Sequence, residues 1–366
     1  MVTCWAAKVM SESKFPRSFK EAMRHEKHKE FMAACKAEFD LLCKKHTWKY
    51  VRRAEVPTGV RVHHGMWVYR MKCDKDGKPD FLKARWVFIG SQQYRGTDYD
   101  ETFAPTGRPS TMRMCHAIAS STDMVVQHAD CEGAFLNAKM SDDDISDRQI
   151  FMEQVDGFSD AKHPREDWVC LMVKTLYGMK QSNRLWWKRI SKWMTNYGFR
   201  KSKYDPCLFY GNRKGKSWLK GLHYVPILVD DISSYLDDTP TAHANYAKFI
   251  SALNEKYTTV DKGPIEFYLQ QRVEAEPSSG SYVISQETHI EKMLSKQGMD
   301  DCHSTKLPFN TGHMHSVLKQ GREPPDDPTA DPSFNPSEYR NMTGSLGYPA
   351  VTVSYTHLTL PTTPYV

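Results

Sequence analysis

Two adjacent carboxylates, Asp230 and Asp231, have aliphatic residues directly on both sides and are the first candidates for chemistry in this sequence. An apolar run over residues 224–229 precedes the pair, and a shorter β-prone run over residues 232–235 follows it. Such apolar, β-branched segments are typical of buried strands. Two carboxylates at the end of a buried strand repel each other and lose hydration, so a cation between them would stabilise the arrangement. Hard oxygen ligands of this kind suit Mg²⁺ or Mn²⁺.

A third carboxylate, Asp130, ends the predicted strand over residues 124–129 and lies 100 residues before Asp230, so any contact between them is tertiary. Three carboxylates from a strand end and a hairpin would supply ligands for two cations, as in two-metal phosphoryl transfer. The pair at 230–231 alone also fits a polar turn between two strands, because Asp is common in turns. Both interpretations stay open on the residues alone.

The elements that must position these carboxylates alternate between hairpins and helices. Helices are predicted over residues 18–45, 110–121, 178–198, 242–257 and 286–297 from apolar residues at helical spacing. Strands are predicted over residues 67–72, 81–88, 124–129, 168–173, 207–210, 224–229, 267–275 and 281–285. This mixture favours the α+β class. The sequence has no GxGxxG or GxxxxGK[ST] motif, which argues against Rossmann and P-loop chemistry.

A basic hairpin is predicted around Asp76-Gly77, because Asp-Gly between β-prone runs is a strong turn signal. Its cations are Lys72, Lys75, Lys78, Lys83 and Arg85. A basic β-ribbon can reach a phosphate chain. The alternative is a solvated hairpin whose lysines protect an exposed strand edge.

Composition places the chain among ordinary soluble globular proteins. It has 366 residues, 26% charged and 40% hydrophobic, enough for two or three packed subdomains. We expect no membrane partner and no secretion, because no apolar run approaches the roughly 20 residues of a membrane span and residues 1–20 lack a signal-peptide core. Nine scattered cysteines without a CxxC pair indicate reduced thiols. The net charge of +6 is compatible with a polyanionic partner.

Short blocks along the chain follow the order of a known family. They are Thr47-Trp48, residues 67–69, Lys72, Asp76-Gly77, residues 83–85, residues 96–105, residues 127–137, residues 151–154, Gly157-Phe158, residues 176–181, residues 205–209, residues 229–232 and residues 339–348. From about residue 21 to about residue 352, the chain resembles the reverse transcriptase of copia-like LTR retrotransposons, a part of the Pol polyprotein.

The resemblance implies an α+β right-hand polymerase fold with fingers, a palm built on an antiparallel sheet and a partial thumb. It implies an RNA-directed DNA polymerase, a nucleotidyltransferase that adds dNTPs to a primer 3′-hydroxyl by two-metal catalysis. The expected cofactors are two Mg²⁺ ions, with Mn²⁺ as a substitute. The expected partners are an RNA or DNA template with its primer, dNTP, and the integrase and RNase H domains of the full polyprotein. The family's location would be cytoplasmic, in virus-like particles.

The resemblance also assigns roles to single residues. Asp130, Asp230 and Asp231 would be catalytic and hold the metals, with the Cys131 backbone carbonyl as a further ligand. Phe135 would lie against the incoming sugar and exclude a 2′-hydroxyl, although core packing is its plainer role. The remaining nucleotide-binding residues would be Arg85, Lys78 and Lys83 on the triphosphate, and Tyr177 and Gly178 near the base.

The same resemblance divides the chain. Residues 1–46 form an N-terminal helical extension, 47–275 the fingers and palm, 276–323 a thumb or connection-like segment, and 324–352 a linker and the start of a truncated RNase H-proximal region. Residues 353–366 stop following the family and resemble translated adapter sequence, which predicts a non-native tail.

Several positions depart from the family pattern. Leu228 replaces a Tyr, Asn183 a Pro and Gln270 a Gly; Gly107 is an interruption, and Pro226 removes a backbone donor from the catalytic strand. These departures indicate a diverged copy. They leave two alternatives: a catalytically inactive retrotransposon remnant that only binds nucleic acid, and a non-polymerase interaction domain on the same scaffold.

Overall fold

The computed structural model describes residues 15–73, 79–142, 148–211, 220–268, 271–276, 281–299, 301–303 and 335–352. The chain forms two compact units, one ending at Ile265 and one beginning at Glu266. The first unit takes in the predicted N-terminal extension together with most of the predicted fingers and palm. The predicted tail at 353–366, the linker at 324–334, Lys78 and Gln270 lie outside the described residues.

The described part of the first unit starts with two helices, α1 (Phe19–Ala22) and α2 (His28–Lys44), where the sequence predicted one helix over residues 18–45. The break coincides with a run of charged and histidine residues at 24–29 that offers no apolar face, and the Lys27 N–H there donates to His25 Nδ1 at 3.0 Å. The buried face of α2 contains Phe31, Cys35, Glu38 and Leu42. This face packs on a hairpin, with the Phe31 ring 4.9 Å from that of Tyr69.

The hairpin consists of β3 (Gly65–Cys73) and β4 (Pro79–Phe88), paired antiparallel as Asp76-Gly77 predicted. Residues 74–78, where the turn is predicted, lie outside the described residues. One face of the hairpin is buried in an aromatic core formed by Trp67, Tyr69, Ala84, Trp86 and Phe88. A separate four-stranded sheet contains β1 (Trp48–Arg52), β7 (Trp168–Met172), β6 (Phe151–Met152) and β2 (Val62–His63), in that order.

A six-stranded antiparallel sheet forms the centre of the unit. Its order is β12 (Thr259–Pro264), β5 (Met124–Cys131), β11 (Asp231–Asp237), β10 (Leu222–Leu228), β9 (Leu208–Tyr210) and β8 (Arg200–Lys201). With its helices this sheet gives the α+β class that the sequence predicted. Strand β10 continues through Pro226, which pairs with Leu208, so the proline is accommodated inside the ladder.

Three helices pack around the sheet: α3 (Pro109–Ser121), α4 (Ser182–Tyr197) and α5 (Pro240–Tyr257). The core under α4 and α5 contains Ala129, Cys131, Leu185, Trp186, Val225, Ile227, Ile232, Phe249 and Leu253. Successive side chains on a strand point to opposite faces. Asp130 lies between the core residues Ala129 and Cys131, and Asp231 precedes the core residue Ile232. Both aspartates therefore belong to the face of the sheet away from α4 and α5.

The described residues of the second unit form a three-stranded antiparallel sheet and two helices. Its elements are β13 (Phe267–Tyr268), β14 (Gln271–Glu276), β15 (Ser281–Ser285), α6 (Glu287–Lys296) and α7 (Pro336–Thr352). The predicted strand over residues 267–275 corresponds to β13 and most of β14. Among the described residues, no helix combines the length and the apolar character that crossing a membrane requires.

Gly178 allows the chain to lie against the edge of β4. Its φ is +90°, and an added Cβ would overlap the Phe88 carbonyl oxygen. Next to it, the Tyr177 carbonyl accepts the Phe88 N–H at 2.7 Å. We expect Gly178→Ala to lower the free energy of unfolding by about 3 kcal/mol, measured by chemical denaturation, because it adds backbone strain and a clash.

Gly96→Ala is the matched control for Gly178→Ala. Gly96 has a similar φ of +85° and open space around the added Cβ, so only the backbone strain of about 1 kcal/mol applies. Equal losses of stability in the two variants would contradict the close approach at Phe88.

Candidate functional site

The three predicted carboxylates come together at one end of the six-stranded sheet. Asp130 and Asp231 are direct partners in the β5–β11 ladder, and such partners have Cβ atoms about 5 Å apart on the same face. Asp230 lies in the turn between β10 and β11, and its carbonyl accepts the Cys131 N–H at 2.9 Å. The turn interpretation is therefore confirmed and the third carboxylate lies nearby, while the metal-binding role of the three aspartates stays a prediction.

The turn that carries Asp230 is strained, and a hydrogen bond from α4 holds it in place. Val229 has a φ of +56°, a left-handed conformation that is a true outlier for a β-branched residue. Its carbonyl accepts a hydrogen bond from Trp186 Nε1 at 2.6 Å, and Trp186 is buried on α4. The sequence assigned Trp186 only to an aromatic core face. Its indole N–H, which usually finds a partner when buried, was the available signal.

The charges around Asp230 oppose its ionisation. Burial raises the pKa of Asp230, the charges of Asp231 and Asp130 raise that pKa further, and the Arg85 guanidinium lowers it. Asp231 has a local partner, because His128 Nε2 lies 3.1 Å from Asp231 Oδ1. Sequence reasoning gave His128 no role, although its position two residues before Asp130 puts it on the same face of β5.

The donors present fit a divalent metal in kind. Crowded carboxylate oxygens are the ligands that Mg²⁺ prefers, and a cation would relieve the repulsion that raises the pKa of Asp230. In the part of the chain that the structure describes, no three His, Cys, Asp or Glu side chains are already gathered in a metal-holding arrangement. Side-chain rotation, including release of Asp231 from His128, would therefore accompany metal binding. The ligand role of the Cys131 carbonyl stays a prediction.

A cationic cavity of about 200 Å³ lies on the hairpin face opposite the aromatic core. Its lining is Val68, Arg70, Lys72, Lys83, Arg85, Val87 and Tyr177. Arg70 is the direct cross-strand partner of Lys83, and like charges in that relation are destabilising. A bound anion would remove this penalty. The sequence missed Arg70, although alternation along β3 puts it on the same face as Lys72.

The cations of the cavity and the carboxylates influence each other electrostatically. Arg85 lowers the pKa of Asp230, and Asp130 opposes the lowering of the Lys83 pKa, which burial causes. The Arg85 guanidinium carbon lies 5.1 Å from the centroid of the Tyr177 ring. The Tyr177 ring in turn meets that of Phe135 edge to face, with centroids 5.5 Å apart. The described residues predicted to bind nucleotide thus lie in one neighbourhood, with Gly178 following Tyr177 along the chain.

Asp230→Asn should stabilise the metal-free protein. A carboxyl whose pKa is raised on folding stabilises below its unfolded pKa, and that contribution is lost as pH rises through the folded pKa. At pH 7.5 with EDTA, we expect the free energy of unfolding of Asp230→Asn to exceed that of the wild type by up to about 1 kcal/mol. The difference should shrink as the pH is lowered and Asp230 becomes protonated.

Asp231→Asn is the matched control for Asp230→Asn, because that substitution also weakens the contact with His128. Chemical denaturation of the two variants provides the comparison. An equal gain in the Asp231→Asn variant would contradict the distinction between the two carboxylates.

Comparison with known proteins identifies the family of the chain. The family model "Reverse transcriptase (RNA-dependent DNA polymerase)" matches residues 45–311. The retrovirus-related Pol polyprotein from transposon TNT 1-94 of Nicotiana tabacum is 30% identical over 306 residues, covering 84% of this chain and 22% of that protein. The Pol polyprotein from transposon RE2 of Arabidopsis thaliana is 28% identical over 337 residues, covering 92% of this chain and 21% of that protein. The chain therefore spans about a fifth of the length of these curated relatives.

Among solved structures, the foamy viral protease-reverse transcriptase in complex with dsDNA covers 87% of this chain and 56% of its own. It has a TM-score of 0.40 and 12% sequence identity. The family model covers most of the chain and the curated relatives are transposon Pol polyproteins, which confirms the resemblance to copia-like elements. The chain belongs to the reverse transcriptase (RNA-dependent DNA polymerase) family.

Proposed function

We propose that this chain is an RNA-directed DNA polymerase domain that adds dNTPs to a primer 3′-hydroxyl on an RNA or DNA template. In this proposal the β3–β4 hairpin belongs to the fingers and the six-stranded sheet with its helices is the palm. The thumb begins in the second unit. The supporting observation is that a cationic cavity adjoins a carboxylate cluster. Nucleotidyl transfer needs this pairing, because the triphosphate must be held beside the metal ligands.

The cationic side chains of the hairpin would bind the triphosphate. Arg85 presents a planar guanidinium that can donate to two phosphate oxygens at once, and Lys83 adds a second positive charge. Burial and the charges of Arg85 and Lys72 lower the pKa of Lys83. A polyphosphate in the cavity would offset that repulsion and so favour the charged form of Lys83.

The carboxylates of Asp130, Asp230 and Asp231 would hold two Mg²⁺ or Mn²⁺ ions, joined by the Cys131 carbonyl. When bound, the metals lower the pKa of the primer hydroxyl and offset charge on the leaving pyrophosphate. The protein's own contribution is to fix the carboxylates. The Trp186–Val229 bond and the Cys131–Asp230 bond tie the turn to α4 and to β5, which limits movement of the Asp230 backbone.

Primer extension by the full chain tests this proposal. With an RNA template, dNTPs and Mg²⁺ or Mn²⁺, we expect the wild type to extend the primer. An Asp230→Asn, Asp231→Asn double variant should lose on the order of 1000-fold or more in rate, because the metal ligands are gone. Asp238→Asn, at an exposed position past the end of β11, is the control and should extend normally.

The extension experiment also separates the alternatives. Template binding without extension by folded wild-type protein would favour the inactive remnant that only binds nucleic acid. Loss of any salt-sensitive binding to nucleic acid would favour the interaction domain instead.

Phe135 is proposed as the residue that rejects ribonucleotides. Its half-buried ring stands beside Tyr177, where it would meet a 2′-hydroxyl of the incoming sugar. We expect Phe135→Ala to raise the kcat/KM for rNTP relative to dNTP on the order of 10–100-fold, since the steric exclusion is removed. Tyr177→Phe, which keeps the neighbouring ring, is the control. An unchanged ratio in Phe135→Ala would leave Phe135 a packing residue only.

A further inference from the structure

Glu38 is a buried carboxylate that the proposed chemistry does not use. It lies in the apolar face of α2 and is only 6% exposed. Its carboxylate accepts a hydrogen bond from the Trp86 backbone N–H. Within the described part of the chain, its Oε1 atom is buried and has no hydrogen-bond partner. An unsatisfied buried carboxylate oxygen is costly, so this residue needs a physical explanation.

Glu38 lies at the edge of β4, the strand that contributes Lys83 and Arg85 to the cationic cavity. The Phe88 N–H, two residues after Trp86 on β4, donates to the Tyr177 carbonyl. Glu38 accepts the Trp86 N–H on the same edge of the strand. The charged groups that act on Glu38 include two cations of the cavity, Lys83 and Arg85. The other titratable groups around it are Glu132 beyond β5, the Tyr177 phenol and Cys35 on α2 itself.

Two opposing influences balance at this carboxylate. Burial raises the pKa of Glu38 to about 7, while the Trp86 N–H, Lys83 and Arg85 act to lower it. An anion bound to Lys83 and Arg85 would screen their charges from Glu38 and add negative charge nearby. Both changes favour the neutral carboxyl. Thermodynamic linkage then requires that anion binding and proton binding strengthen each other.

We propose that Glu38 is the counter-charge of the cationic cavity: its ionised form balances Lys83 and Arg85, and that form takes up a proton from solvent at Oε1 when a nucleotide triphosphate binds in the cavity. The inference rests on the proposed function, because it takes the cavity as the triphosphate site. The inference gives α2, which was predicted from the sequence to belong to an N-terminal extension, a role in nucleotide binding. Triphosphate affinity should therefore fall as the pH rises above neutrality.

Calorimetry with inorganic tripolyphosphate tests the inference on the full chain without polymerase activity. Titrations at one pH in two buffers of different ionisation enthalpy measure the number of protons taken up. We expect the wild type to take up a fraction of a proton that is largest just above pH 7. Glu38→Gln copies the neutral acid, so it should lose this uptake and bind tripolyphosphate three- to tenfold more tightly at pH 8.

Two controls isolate Glu38. The ligand's own titration is the same for both proteins, so the difference between wild type and variant belongs to the residue. Glu30→Gln lies on the exposed side of the same helix and should behave as wild type. dATP should reproduce the proton uptake, and an oligodeoxynucleotide of phosphodiesters should not.

Each contrary outcome overturns a stated part. The counter-charge role would be overturned if the wild type bound tripolyphosphate without proton uptake, or if Glu38→Gln took up as many protons as the wild type. It would also be overturned if Glu38→Gln bound tripolyphosphate more weakly, or if the oligodeoxynucleotide caused proton uptake and dATP did not. Primer extension on the same preparation separates the two proposals. If primers are extended while any of these results is found, only the inference fails. If the wild type neither binds tripolyphosphate nor extends primers, the proposed function fails and the inference fails with it.

Discussion

The antiparallel register between β5 and β11 brings two of the three aspartates of the site, Asp130 and Asp231, opposite each other. Asp130 opposite Asp231 follows from the same register that puts Ala129 opposite Ile232 under the helices. A slip of either strand by one residue would turn the aspartate of that strand into the apolar core and its core residue to the opposite face. Burial of the apolar partners therefore fixes the register, and the register brings together two carboxylates that repel each other. The hydrophobic core stabilises a site that is electrostatically unfavourable without its cations.

The hairpin repeats this division of labour between two faces. Its aromatic face, including Trp67 and Trp86, packs into the core under α2, while its cations line the opposite face. The stability gained by packing the aromatic face offsets the repulsion among the positive charges on the opposite face. Glu38 lies at the strand edge where the two faces meet, so it senses both the low polarity of the core and the field of Lys83 and Arg85. A residue in that position couples core packing to the charge of the cavity.

Local signals predicted the local structure well. The Asp-Gly turn predicted the β3–β4 hairpin because the relevant interactions are between neighbours in sequence. The two-residue turn after β10 was among the interpretations of Asp230-Asp231 for the same reason. The proximity of Asp130 to Asp231 is tertiary, and no spacing rule could supply it without the family resemblance. The single helix predicted over residues 18–45 failed at the charged run of residues 24–29, where no apolar face continues the helix.

The residues that sequence reasoning missed make contacts that depend on the tertiary structure. His128 and Arg70 depend on which face of a strand each side chain occupies, and Trp186 on a carbonyl across the core. Sequence reasoning gave Glu38 no functional role, because sequence alone does not reveal that its helix packs on the hairpin. That packing has a consequence for limited proteolysis of this chain. A cut inside α2 would separate Phe31 or Leu42 from the hairpin core, and a cut just before α2 would remove Ala22, so a fragment that keeps this core must begin before α1.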